Sequence, residues 1–235
     1  MVTAFALNDM YNWGYSILDL ILLSKKAENE FIGVNCGIMD MFSIGQGKKD
    51  HAILLDCDSL EFQLVPVFVK YYSLVITNTN KKRGLGDSKY NERVGECGKA
   101  VECLSKELKI NSLGNVRMEQ FNAFAHLIPD PVIFKRARHV ISENDRVLQA
   151  VKALKNGKFA MFGELMIQSH HSLRDDYEVT GFELDSLVDI MLKQKGVLGA
   201  RMTGAGFGGC TVAFVKNECL DESGNILIPL HRERS

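Results

Sequence analysis

Thr203-Gly204-Ala205-Gly206-Phe207-Gly208-Gly209 sets four glycines within six positions. The run contains G-x-G-x-x-G letter for letter, the spacing by which a dinucleotide fold brings backbone N–H groups to a pyrophosphate. That use requires the motif to open a helix, whereas Cys210-Thr211-Val212-Ala213-Phe214-Val215 reads as a strand. A glycine loop between two strands can still cup an anion in a nest of N–H groups. A plain tight turn is the other reading, although four glycines exceed what a turn needs. In Asn35-Cys36-Gly37-Ile38-Met39-Asp40, a glycine permitting close backbone approach stands three residues before a carboxylate. Asp40 follows two apolar residues and is expected at a buried edge, where it could serve as a general base or hold a substrate hydroxyl. On those six residues alone, the plainer reading makes Asp40 the cap of the helix that follows. Tyr90 falls near the start of a helix, placed either to reach a ligand or to pack half-buried. His170-His171 and Asp175-Asp176 look like a metal cluster only superficially, since adjacent histidines on a helix face different ways.

The elements that must carry these residues read from apolar spacing and caps. A helix begins almost at once, with Phe5, Leu7, Met10 and Tyr11 in register, although no polar residue leads into it. Such an uncapped apolar start is the first sign that the chain is cut. Ser16 is expected to cap a second helix to about Asn29, with Leu18, Ile21 and Leu22 on one face. Residues 52–56 and 61–67 predict two strands around Asp-Cys-Asp-Ser, with Phe62, Leu64 and Pro66 alternating along the second. Tyr72–Thr77 predicts a third strand, buried on both faces around Val75 and Ile76. Asp87 or Ser88 is expected to cap a helix to about Leu108, and further helices are expected over 116–127, 132–154, 159–171 and 182–195. Strands at 197–202 and 210–215 then flank the glycines. Strands, helices and strands again imply an α+β layered architecture.

Composition narrows the function classes. The 235 residues carry 28 Lys and Arg against 29 Asp and Glu, a net charge of −1, with 24% charged and 46% hydrophobic residues. This is a globular balance that gives no electrostatic ground for a nucleic-acid partner or an anionic membrane. No apolar run reaches the roughly 18 residues of a membrane span. The start lacks the early cation of a signal peptide. Six cysteines without a C-x-x-C pair favour reduced thiols in a cytoplasmic protein over a disulfide framework or a zinc site.

Taken in order, several segments resemble those of one family. Ala27 through Asp40, Asp87-Ser88-x-Tyr90-Asn91-x-Arg93, His139 through Val147, and Ser172-Leu173-Arg174-Asp175-Asp176-Tyr177-Glu178-Val179-Thr180 are similar to galactokinase segments. Arg201 through Cys210 resembles the third motif of the wider GHMP kinase superfamily. The resemblance runs from about residue 2 to 215. It implies a two-domain GHMP-kinase-like α+β fold with an incomplete N-terminal domain over 1–63, a ferredoxin-like C-terminal domain over 64–215, and an atypical tail over 216–235. It further implies ATP- and Mg²⁺-dependent phosphorylation of galactose at its C1 hydroxyl. By that mapping Asp40 is the catalytic carboxylate, Gly37 and Tyr90 contact the sugar, Glu28 ligates Mg²⁺, and Gly204, Gly206, Gly208 and Gly209 border the nucleotide phosphates. Close relatives that act on N-acetylgalactosamine, and a non-catalytic galactose or ATP sensor, are the alternatives.

The chain also departs from the family pattern. Its first and second motifs, which supply an Arg near the transferred phosphoryl and a Gly/Ser-rich phosphate loop, would lie upstream of Met1. Met41 stands where a Gln is usual, and the polar tail replaces a helix and a closing strand. Losing one preorganised donor costs on the order of 10²–10³ in rate. A chain without that loop is therefore expected to turn over below detection, and residues 1–60, with exposed apolar helix faces, are expected to be sticky and poorly folded in isolation.

Overall fold

A computed structural model describes residues 1–33, 36–67, 70–81, 86–221 and 224–226, with residues 86–88 described by backbone alone. Val34 and Asn35 of the Asp40 segment, the side chains of Asp87 and Ser88, and the end of the tail lie outside the described residues. The chain divides into two compact units, Met1–Phe68 and Val69–Ser235.

The first unit begins with α1 (Val2–Tyr11), which buries no residue fully: Val2, Phe5, Met10 and Tyr11 stand exposed and Leu7 is half-buried. Asn12 turns the chain in a left-handed conformation, and the Asn8 side chain bonds both the N–H and the carbonyl of Tyr15. Around that turn Tyr11 stacks on Trp13, ring centres 5.5 Å apart. Ser16 caps α2 (Ile17–Lys26) as expected: its hydroxyl accepts from Asp19 N–H at 3.1 Å, and the Asp19 carboxylate accepts from Ser16 N–H at 2.9 Å. The buried face of α2 is not the expected one. Leu20 and Ile21 are inside, whereas Leu18 and Leu22 face out. The helix continues as a π-helical stretch, Ala27–Ile32, which Gly33 ends at φ +84°. Then come α3 (Met39–Gln46) and an antiparallel hairpin of β1 (His51–Leu55) and β2 (Phe62–Pro66) in register His51↔Pro66 to Leu55↔Phe62. Its turn is tied by Asp56, whose carboxylate accepts from Asp58 and Ser59 N–H. Val65, not Phe62, is the fully buried residue of β2. Ile21, Ile38 and Phe42 centre this small core.

In the second unit β3 (Tyr72–Asn78) leads to α4 (Gly86–Leu104), which begins ahead of the expected cap and stops four residues short of Leu108. A short α5 (Met118–Phe124) precedes α6 (Pro131–Lys155), where Pro131 sits at the first helical position and Asp130 accepts from Val132 N–H at 2.8 Å. Next are α7 (Phe159–Ser172), a π-helical turn Leu173–Tyr177, α8 (Phe182–Leu192), β4 (Val197–Thr203) and β5 (Cys210–Lys216). The three strands form an antiparallel sheet in the order β3-β5-β4. Burial of β3 on both faces is corrected: it is an edge strand of the described sheet, and Leu74 and Ile76 are exposed. Helix α7 lies directly on β4, because Gly163 and Gly199 bring backbone to backbone with no side chain between. Three cores result among the described residues: one among α4, α5 and α6 around Phe121 and Ile141, the second under the sheet around Val188 and Ala213, and a smaller third around Leu184 and Met202. Leu220 bridges Ile226, and both pack on the second core, so the described part of the tail belongs to the fold.

Candidate active site

Glu28 and Asp40 line one cavity of about 660 Å³ in the first unit, together with Ser24, Cys36, Trp13 and Tyr15. The π-helical stretch carries Glu28, and α3 carries Asp40. Between them the Cys36 thiol donates to the Asn29 carboxamide oxygen at 3.2 Å, and buried Ile38 anchors the turn into α3. Two expectations for Asp40 are corrected here. It is not the cap, since Ile38 occupies that position and Asp40 is the second residue of the helix. Nor does it sit at a buried edge: Asp40 and Gly37 are both exposed. In the first turn a carboxylate is favoured by the helix N-terminus. Among the described residues its oxygens take no ion pair or hydrogen bond, so they remain available to a ligand.

The glycine loop belongs to the second unit and joins β4 to β5 after the Thr203↔Cys210 pair. Gly204, Gly206, Phe207, Gly208 and Gly209 all have positive φ, whereas the tightest hairpin turns require two such residues. The loop is braced on two sides. Phe207 N–H donates to the Val179 carbonyl at 2.7 Å, and Thr79 N–H donates to the Gly209 carbonyl at 2.8 Å. A Cβ on Gly206 would overlap the Val179 carbonyl, and one on Gly208 would come within 3.3 Å of the Lys81 carbonyl. Across Gly204, Ala205 and Gly206 the sign of φ alternates, the pattern by which successive N–H groups form an anion nest.

Tyr90 lies on α4, half-buried. One turn along, Arg93 is buried among acceptors: Nε donates to the Tyr177 carbonyl at 2.7 Å, Nη2 to the Glu178 carbonyl at 3.2 Å and Nη1 to Glu96 at 2.9 Å. Arg136 of α6 shares Glu96 at 2.9 Å, and also donates to the Asp176 carbonyl at 2.6 Å and the Glu178 carboxylate at 2.8 Å. The bond from Arg136 holds the Glu178 carboxyl below its ordinary range. Beside this cluster, His139 Nδ1 meets Ser172 Oγ at 2.9 Å, and Arg138 pairs with Asp176. Burial pushes the His139 imidazole down to about 4. None of this network was expected from sequence, because most of its partners lie 33 to 85 positions apart.

The two neighbouring histidines behave as the helix spacing predicts. His170 is buried, with Nδ1 accepting from Met202 N–H at 3.3 Å and Nε2 lying 3.2 Å from Asp185, while His171 is exposed. No helix among the described residues is long and apolar enough to cross a membrane.

This architecture and glycine loop define a chain of the GHMP kinase fold. Residues 1–48 match the GHMP kinases N terminal domain, and residues 150–219 match the GHMP kinases C terminal domain. Within that class the chain is homologous to the galactokinases. It is 54% identical over 222 residues to galactokinase of Clostridium acetobutylicum, covering 94% of this chain and 57% of the relative. It is 53% identical over 214 residues to galactokinase of Enterococcus faecalis, covering 91% and 55%. The crystal structure of Lactococcus lactis galactokinase complexed with galactose superposes with a TM-score of 0.90 at 49% identity, covering 92% of this chain and 56% of that one. The similarity to L. major mevalonate kinase in complex with R-mevalonate, with a TM-score of 0.56 at 21% identity, is one of fold. The chain thus spans somewhat more than half the length of the galactokinases it matches.

Proposed function

We propose that the chain serves a galactokinase-type sugar kinase, transferring the terminal phosphoryl group of ATP to the C1 hydroxyl of galactose to give galactose 1-phosphate. Likeness to galactokinases along 94% of the chain carries this reading. The first unit then contributes to the N-terminal kinase domain, and the second is the C-terminal one. The protein is cytoplasmic on this reading.

Asp40 orients the C1 hydroxyl and takes its proton as the oxygen attacks the terminal phosphorus. The bond from that phosphorus to the bridging oxygen breaks, and ADP departs. Gly37 and Tyr90 hold the sugar, and the loop of Gly204, Gly206, Gly208 and Gly209 borders the phosphates, where N–H groups offset growing negative charge. Mg²⁺ supplies further charge neutralisation when bound. It takes one or two carboxylates, with phosphate oxygens and water completing its shell. Glu28, on the cavity wall that also carries Asp40, fits that donor set and would hold it.

The test is ADP release from Mg-ATP with and without D-galactose, with Asp40→Ala alongside. Release that requires galactose and disappears in Asp40→Ala supports the kinase. Release driven better by N-acetylgalactosamine moves the substrate assignment. Saturable galactose binding without release moves the reading to a non-catalytic sensor.

A further inference from the structure

We propose that Arg136 is a positioning residue for the glycine loop, acting through the carbonyl of Val179. The inference rests on the reading of that loop as a phosphate site. Arg136 and Arg93 share the Glu96 carboxylate, and between them they grip three consecutive carbonyls, those of Asp176, Tyr177 and Glu178. The two guanidinium groups face three carboxylates, Glu92, Glu96 and Glu178, so neither cation is left for a ligand. It is a brace rather than an anion site.

What it braces is a strained turn. Glu178 sits at φ 55°, ψ 52°, a left-handed conformation that a side chain adopts only when its surroundings hold it there. With that residue fixed, Val179 N–H reaches the Leu173 carbonyl at 3.1 Å and the Val179 carbonyl points at the loop. It receives Phe207 N–H at 2.7 Å and leaves no room for a side chain on Gly206. The path from Arg136 to the glycines is therefore one turn of backbone and one hydrogen bond. Lysine cannot replace the fork of donors that spans Glu96, the Asp176 carbonyl and Glu178.

Hydrogen exchange of the purified full chain tests this, reading the 203–210 segment against the strand interior at Ala213–Val215. In Arg136→Ala the Phe207 amide is expected to exchange at least about tenfold faster, with the strand interior changed much less. Arg136→Lys is expected to stay close to the alanine variant. Glu178→Gln removes the charge that pairs with Arg136 and Lys135 at a half-exposed side chain, should fold normally, and is expected to give a smaller acceleration confined to the loop. If Arg136→Ala fails to fold, Glu178→Gln decides. Acceleration spread equally over loop and strands, or an unchanged loop in a folded variant, overturns the proposal. Affinities for ADP and for galactose form a second arm: Arg136→Ala should weaken ADP by about tenfold or more and leave galactose unchanged. A wild-type chain that binds no ADP while the exchange result holds defeats the phosphate reading alone. Weakened ADP with an unchanged loop defeats the role of Arg136 alone.

Discussion

The peptide N–H of Phe207 meets the carbonyl oxygen of Val179 at 2.7 Å, and the bare α-carbon of Gly206 lies against the same carbonyl. Gly206→Ala would add a methyl group into that oxygen at a φ of +86°. Left-handed strain costs roughly 1–3 kcal/mol, and the overlap adds to it. A melting temperature lower by at least about 4 °C is expected by calorimetry. An unchanged melt would mean that the loop is free of Val179.

Gly163 and Gly199 touch each other across α7 and β4, so Gly163→Ala and Gly199→Ala each force helix and strand apart. Each single substitution is expected to cost about 2 kcal/mol or more in urea denaturation. Once the first methyl group has opened the gap, the second should cost less. The double variant therefore falls short of the sum, and strict additivity would show that the contact is absent.

His139 makes stability depend on pH in a known direction. Burial holds its imidazole neutral until about pH 4, against a free value of 6.5. The unfolded chain binds the proton first, so this contribution is complete above pH 6.5 and declines as pH falls towards 4. The integrated loss is about 3 kcal/mol. His139→Gln should flatten the decline in that window when unfolding free energy is measured against pH. His170, which burial also pushes down, keeps the remaining slope.

Asp40 separates chemistry from stability. Its carboxylate is exposed, and Asp40→Asn should change unfolding free energy by no more than about 0.5 kcal/mol. Where the chain releases ADP in response to galactose, the same substitution should remove that release. A variant that loses activity only because it unfolds would contradict the assignment, and circular dichroism on the assay sample distinguishes the two.

Local rules recovered what local chemistry determines. Ser16 caps its helix as its type and position predict, and the glycine loop lies between strands because Cys210–Val215 has strand spacing. What failed depends on distant partners. Ile76 and Leu74 look like core residues until β3 is seen at a sheet edge. Asp40 resembles a cap, yet Ile38 takes that position because its side chain is buried beneath α3. Arg93 and Arg136 carry no local signal of the turn they hold, because its carbonyls lie some forty to eighty-five positions away. Asp40 was singled out by its local sequence, whereas Glu28 carries no local signal and only the family resemblance joined it to Asp40; both line one cavity.

The stack of Trp13 on Tyr11 has a practical use. Trp13 is the chain's single tryptophan, and it lines the cavity that holds Asp40. Indole fluorescence is therefore an optical reporter of the first unit alone, while the second unit emits only through tyrosine. Quenching on sugar addition would register entry into the cavity without any label, and a fluorescence melt set beside a calorimetric one would time the loosening of the two units separately.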